Sequence, residues 1–185
     1  MKNRNEYKYY LKCDYAALGM IKKSKFMRMV DPIWKYQKLM RKLDYISSCQ
    51  RWRKISILIL KFRYLHMEIK LGFSIPFKNI GPGLCIAHYG NIVISHNTFI
   101  GSNCKIHSGV NIGATNGIEK APQIGNRVYI GPGAKLVGDI TITDDVVIGA
   151  NAVVTKSITE KGTYAGVPAR KISDNTSEKH IQYIL

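Results

Sequence analysis

Long hydrophobic runs are missing from this chain of 185 residues. The longest uncharged apolar stretch, Ile55 to Leu60, falls far short of the ~20 residues that a membrane-spanning helix needs. The first residues, Met1-Lys2-Asn3-Arg4-Asn5-Glu6, lead into no apolar signal core. Cysteine is sparse, with 4 residues in all. Cys13, Cys49, Cys85 and Cys104 are scattered, without a CxxC pair or a zinc spacing, which points to a reduced compartment. Acidic residues are few, 12 against 28 Lys and Arg, for a net charge of +16. Hydrophobic residues at 45% and charged residues at 22% exclude a disordered tail. A soluble, cytoplasmic protein is expected, built as one sizeable domain with a smaller appendage.

The positive charge is local. Residues 1–71 hold 18 Lys/Arg against 5 Asp/Glu, whereas residues 72–185 hold 10 against 7. A basic face is the electrostatic footprint of a nucleic-acid binder, but no helix-turn-helix, zinc-finger or RNP-like pattern accompanies it. Nucleic acid is therefore not expected as a partner. A solvated basic face is the plainest reading, with peripheral contact to an anionic membrane surface or a lipid-linked phosphorylated substrate beside it.

Glycine and proline are also scarce at first: up to Leu71 there are only Gly19 and Pro32. Apolar residues recur there at helical spacing, as in Tyr9, Leu11, Tyr15 and Leu18, then Ile33, Trp34, Tyr36, Leu39, Met40 and Leu43. A third stretch, Trp52 to Leu71, alternates basic residues with Ile55, Ile57, Leu58, Leu60, Phe62, Leu65 and Ile69. Two to four helices are expected in this basic segment, residues 1–71. The last is basic and amphipathic, as in helices that lie on a membrane surface, but packing of its apolar side against the rest of the protein is preferred.

From Gly72 the texture changes to short apolar segments punctuated by glycine, and a period of six appears. Ile94, Ile100, Ile106, Ile112, Ile118, Ile124, Ile130, Leu136, Ile142, Ile148 and Val154 are all aliphatic. The next position is often glycine, as in Gly101, Gly113, Gly125, Gly131 and Gly149. Four residues after each aliphatic comes a small or apolar residue, among them Thr98, Cys104, Val110, Val128, Ala134, Ile140, Val146, Ala152 and Ile158. The repeat extends upstream through Ile80, Ile86 and Ile92, with a two-residue slip before Ile94. A period of six excludes helix and ordinary amphipathic strand as the organising rule. It suits a parallel β-helix in which each hexad is a short strand plus a corner, with aliphatic side chains stacked inward. Glycine after the aliphatic relieves the corner, either because a side chain would clash or because φ must be positive. Asn116 and Pro122 break the fourth-position rule, so residues 114–123 are expected to leave the prism as a loop.

These hexads, with the terminal Ala165-Gly166-Val167-Pro168-Ala169-Arg170, resemble the hexapeptide-repeat acyltransferases. More closely, the chain is similar to the serine acetyltransferase family and its shorter relatives in surface-polysaccharide gene clusters. The resembling residues are Ile80-Gly81-Pro82-Gly83-Leu84, Ile86-Ala87-His88-Tyr89-Gly90-Asn91-Ile92-Val93-Ile94, Ile106-His107-Ser108-Gly109-Val110-Asn111-Ile112-Gly113 and Ile130-Gly131-Pro132-Gly133-Ala134-Lys135. The resemblance implies a left-handed parallel β-helix over residues 72–173, three hexads per coil, after a small α-helical segment and before a polar tail at 174–185. It further implies a homotrimer, with larger assembly through the N-terminal helices left open. Acetyl-CoA as co-substrate lies between neighbouring prisms, and no metal takes part.

The resemblance makes His88 the catalytic histidine. An imidazole suits the chemistry, because acetyl transfer from a thioester to an alcohol needs a base that takes the hydroxyl proton at neutral pH and returns it to the thiolate. His107 replaces the usual glycine and is a second catalytic candidate. His96 reads as a surface residue, His66 as part of the basic helix and His180 as part of the tail. For the coenzyme, the resemblance points to Gly113, Ala134, Lys135, Gly149 and Ala150 along the groove. Backbone N–H groups of Gly113 and Ala114 are candidates for the oxyanion. Pro168, Ala169, Arg170 and Lys171 would lie near the nucleotide end. Cys104 is read as a core filler.

Asp31, Ala87 and Tyr89 are the acceptor-side candidates, and here the chain departs from the serine acetyltransferase pattern. Ala87 stands where that family has an aspartate before the histidine. Ser74 stands where an aspartate partners it, and Lys120-Ala121-Pro122 stands where an arginine and a histidine would face the serine carboxylate. Asp31-Pro32 does match. The expectation is an acetyl-CoA-dependent O-acetyltransferase acting on a sugar of a surface polysaccharide, with L-serine as the alternative acceptor. More distant alternatives are a metalloenzyme of the γ-carbonic-anhydrase type, for which His88, His96 and His107 lack the close histidine pair, and a non-catalytic assembly module. Nothing in the sequence says which residue orients His88; Glu68 and Asp139 are two acids to check.

Overall fold

The computed structural model describes residues 1–115 and 119–181. Four helices come first, α1 (Arg4–Ala17), α2 (Lys25–Val30), α3 (Pro32–Cys49) and α4 (Lys54–Leu71). Their starts are written in the sequence. The side chains of Asn3, Ser24 and Asp31 accept hydrogen bonds from the N–H groups of Glu6, Met27 and Trp34, which satisfies donors that a helix leaves unpaired in its first turn. Pro32 follows its cap at the position where a missing N–H costs nothing. Gly72 ends α4 at φ 73°, a left-handed conformation that glycine adopts without strain.

From Phe73 onward, strands of two to four residues line three faces of a prism. One face holds five strands and a second holds three, all parallel. The third holds five parallel strands closed by the antiparallel Arg170–Ser173. The period of six produces this directly. Ile86, Ile106, Ile130 and Ile148 are register partners from rung to rung, as are Ile94, Ile112, Leu136 and Val154. All eight are at most 4% exposed. Fourth-position residues from Thr98 through Cys104, Val110, Val128 and Ala134 to Ala152 fill the space between the columns. Cys104 is one of these fillers: its thiol is fully enclosed, and burial pushes its pKa up to about 12.

The count by sixes hides an insertion. Ile124 pairs with Ile142, eighteen residues on, but Ile100 pairs with Ile124, twenty-four residues on. The extra residues equal one hexad, so the count by sixes stays in phase across the 114–123 stretch. Ile118, with Asn116 and Gly117, lies outside the described residues. Beside that stretch, Asn97 donates to the Glu119 carbonyl at 2.6 Å and Lys120 pairs with Asp139 at 2.9 Å.

Several of the glycines that follow an aliphatic are required by crowding. A Cβ on Gly81 would sit 2.7 Å from the Gly101 backbone, and one on Gly101 2.5 Å from the Gly125 carbonyl. None of these three has a positive φ. The left-handed corners are taken instead by Gly83, Asn103, Arg127 and Asp145.

The helical layer closes the end of the prism, where the first coil has no rung above it to pair with. Polar side chains of the helices take over that role. Asp14 accepts from the N–H groups of Gly83 (2.9 Å) and Leu84 (3.1 Å). Arg41 donates to the Ile80 and Gly81 carbonyls at 2.7 and 2.6 Å, and Gln37 donates to the Leu84 carbonyl at 2.8 Å. Asp14 and Arg41 are fully buried and bound to one another at 2.7 and 3.1 Å. Tyr64 donates to the Ile75 carbonyl while Glu68 accepts from the Ile75 N–H, both at 2.8 Å. Tyr36, Met40, Leu43 and Leu71 continue the aliphatic column into one core.

The preferred packing of α4 holds for only part of its apolar surface. Leu60, Tyr64 and Leu71 are buried, but Ile55, Leu58, Ile59, Phe62, Leu65 and Ile69 are 54–78% exposed. Among the described residues no helix is long and apolar enough to cross a membrane.

Candidate active site

Ile86 belongs to the core column and ends a strand, so the chain turns a corner directly after it and the next side chains leave the core. Ala87 and exposed His88 occupy that corner. One rung on, His107 N–H bonds the Ile130 carbonyl as Ala87 N–H bonds the Ile106 carbonyl, so His107 stacks in register with Ala87. The two imidazoles meet with centroids 6.2 Å apart, and His107 lies 5.1 Å from the ring of Tyr129.

The corner opens into a cleft of about 580 Å³ between the prism and the helical layer. Its prism wall carries Ala87, His88, Lys105 and His107, and its helical wall carries Lys23 and Asp31. The Nε2 of His107 is buried without a hydrogen-bond partner. Burial, together with Lys105, His88 and His180, holds the pKa of His107 below the ordinary histidine value. That ring is therefore neutral at neutral pH, with a nitrogen free to take up or give a hydrogen bond.

Asp31 reaches the cleft because it caps α3. Its Oδ1 accepts from Trp34 N–H at 2.8 Å, and its Oδ2 pairs with Lys23 at 2.7 Å. Of the acceptor-side candidates, Asp31 and Ala87 come together with His88 and His107, whereas Tyr89 is 66% exposed and does not line the cleft. Glu68 is committed to Ile75 and Tyr36, and Asp139 to Lys120, so neither faces His88.

The coenzyme candidates lie elsewhere on the chain. Gly113 borders a second cleft of about 500 Å³, on the face that carries Asn111, and Ala114 beside it is exposed. Lys135 is anchored on the Gly109 carbonyl at 2.5 Å. Ala134 needs correcting: its side chain is 0% exposed, and its N–H and carbonyl are spent on Gly131 and Asn111, so it is a column filler. Gly149 and Ala150 form a corner two rungs beyond His107, where Gly131 N–H bonds the Ile148 carbonyl. Pro168, Arg170 and Lys171 are exposed near the end of the prism and Ala169 is half-buried. Lys171 pairs with Glu160 (3.2 Å) and Asp174 (2.8 Å), both exposed.

Three further residues enter the site that sequence reasoning did not place there. The tail returns along the prism, anchored by Ser177 on the Arg127 carbonyl at 2.5 Å, and stacks His180 on Tyr129 at 4.6 Å. His180 thus lines the cleft while staying exposed. Lys105 lies under it, donating to the His180 carbonyl at 3.4 Å, and Lys23 reaches in from the turn before α2. Lys105 was findable, since it is the residue before core Ile106 and must point outward beside His107. The return of the tail had no signal in the period of six. Among the described residues no three of His, Cys, Asp and Glu gather as a metal site.

Comparison with known proteins agrees with the fold. Residues 121–156 match the family described as bacterial transferase hexapeptide (six repeats). A serine acetyltransferase of Helicobacter pylori (strain J99) is 42% identical over 100 residues, covering 53% of this chain and 58% of that protein. One of Mycobacterium tuberculosis is 34% identical over 127 residues, covering 67% of this chain and 56% of that protein. The chain thus spans little more than half the length of these relatives. Among solved structures, serine acetyltransferase from Brucella abortus superposes with a TM-score of 0.75 at 27% identity, covering 94% of this chain and 72% of that one. The chain is a hexapeptide-repeat protein of serine acetyltransferase-like sequence and fold.

Proposed function

We propose that the chain is an acetyl-CoA-dependent O-acetyltransferase whose acceptor is L-serine or a closely similar hydroxy-amino acid. The observation that carries this reading is the cleft that gathers His88, His107, Asp31 and Lys105 between prism and helices. His88 takes the acceptor's hydroxyl proton as that oxygen attacks the thioester carbon. The C–S bond then breaks, and the proton passes from the imidazole to the leaving thiolate. Asp31 offers a carboxylate to the acceptor's ammonium group. Lys105 offers a cation to its carboxylate, in place of the arginine that the resemblance would put where Lys120-Ala121-Pro122 stands. Relatives named serine acetyltransferase favour this acceptor over the polysaccharide sugar that the sequence alone suggested. A solved serine acetyltransferase described as a complex with CoA shares the fold, with a TM-score of 0.74.

The reading includes a left-handed winding and a trimer. Within one chain, Gly113 and Lys135 lie on a different face from His88. A site that uses both sets needs the coenzyme groove of one copy beside the imidazole of another. A sugar acceptor remains the second reading, because Lys23 already neutralises Asp31 and Ala87 adds no charge.

Kinetics with L-serine and a panel of sugars separate the two. With Asp31→Asn the helix cap survives, since asparagine caps as well as aspartate. The KM for L-serine is expected to rise about tenfold or more, the loss of roughly 1.4 kcal/mol of ion pairing, with KM for acetyl-CoA unchanged. An unaltered KM for serine, with turnover of sugars instead, would replace the serine reading by the second.

A further inference from the structure

Helix α4 is apolar on two opposite sides, and only one of them is used. At about 100° per residue, Leu60, Tyr64, Met67 and Leu71 point one way and pack against the protein. Ile55, Leu58, Phe62, Leu65 and Ile69 follow a spacing of three and four residues along the other side and stay 54–78% exposed. With Ile59 they make an unpartnered, largely apolar stripe about 120° wide, in which the exposed His66 lies between Ile55 and Ile59. Trp52, 79% exposed, stands in the turn just before it.

The charges beside the stripe decide what covers it. Lys54 and Lys61 border one edge, Arg63 and Lys70 border the other, and all four are exposed. Arg51 and Arg53 add to the positive end next to Trp52. The one acid of the helix, Glu68, is turned away and held by Ile75 N–H at 2.8 Å. A second copy brought against this stripe would set cations against cations on both rims. A bilayer surface with anionic headgroups would receive the apolar stripe at the acyl boundary while the lysine and arginine heads reach back to lipid phosphates.

We propose that the outer face of α4 is a peripheral docking site for an anionic lipid surface, and that it keeps the cleft of the same chain close to the membrane. This goes beyond the catalytic reading and does not depend on it.

Vesicle sedimentation tests it with the full chain, using phosphatidylcholine alone and phosphatidylcholine with a third of phosphatidylglycerol. The expected result is binding to the anionic vesicles only, weakened by added salt. Phe62→Ser with Leu65→Ser should reduce that binding about tenfold or more. Lys61→Glu with Arg63→Glu should do the same while leaving the apolar stripe intact. Since all four residues are exposed, the thermal midpoint of each variant should match the parent. No binding of the parent to anionic vesicles would overturn the proposal, and so would equal binding by the variants. A fall in molar mass of the Phe62→Ser, Leu65→Ser variant in sedimentation velocity, without any vesicle binding by the parent, would assign the face to a second copy instead.

Discussion

Replacing His88 by alanine is expected to slow acetyl-CoA-dependent turnover by about a hundred- to ten-thousand-fold, the usual worth of a positioned general base. His88 is exposed at its corner, so its truncation opens no core cavity and the thermal midpoint should hold. KM for acetyl-CoA should also hold, since the proton is moved only as the thioester is attacked. The comparison variant is His107→Ala. Its ring is held neutral by burial beside Lys105, and its Nε2 lacks a partner. On the proposed reading it contacts the acceptor without taking the proton, so its loss should cost less than that of His88. Thiol release followed with a chromogenic disulfide measures both. A His88→Ala protein that keeps full activity would remove the imidazole from the mechanism and leave the cleft as a binding feature only.

The second large effect concerns stability. Arg41→Ala is expected to destabilise the fold by about 3–5 kcal/mol, because it strands the fully buried Asp14 carboxylate. It also leaves the Ile80 and Gly81 carbonyls without their donors. For a chain of this length that corresponds to a fall in melting midpoint of roughly 10 °C. Lys120→Ala, which breaks an ion pair between side chains 73% and 52% exposed, should move the midpoint by little, since such pairs contribute under about 1 kcal/mol. Thermal melts followed by circular dichroism compare the two. If Arg41→Ala melts no lower than Lys120→Ala, the buried pair is not what fastens the helical layer to the first coil. The same fastening bears on function, because Gly83, bonded to Asp14, lines the cleft beside His88.

The period of six carried most of the prism into view from sequence, because a rung cannot vary its inward residue without losing a buried contact above and below. Ile86, Ile106, Ile130 and Ile148 could be aligned on paper and are register partners in space. An insertion of one hexad does not disturb a count by sixes; the sign of it was the fourth-position rule, broken in the 114–123 stretch that separates the paired Ile100 and Ile124. His88 was legible through the resemblance, His107 as a histidine where the corner rule puts glycine, and Asp31 as half of a matching Asp-Pro pair. Asp14 and Arg41 were not. Each looks like one more charge on a basic helix, and only the packed layer reveals that both stand over the open end of the prism. The outward stripe of α4 was visible as letters. Which of its two apolar sides would meet the protein depended on the route of the chain into Gly72.

The most direct measurement is a crystal structure with coenzyme A bound. The account predicts that the pantetheine arm enters this cleft and that its sulfur ends within hydrogen-bond reach of the His88 imidazole, ~2.6–3.2 Å or through one water. A sulfur that ends out of reach of the His88 imidazole of every copy would contradict it.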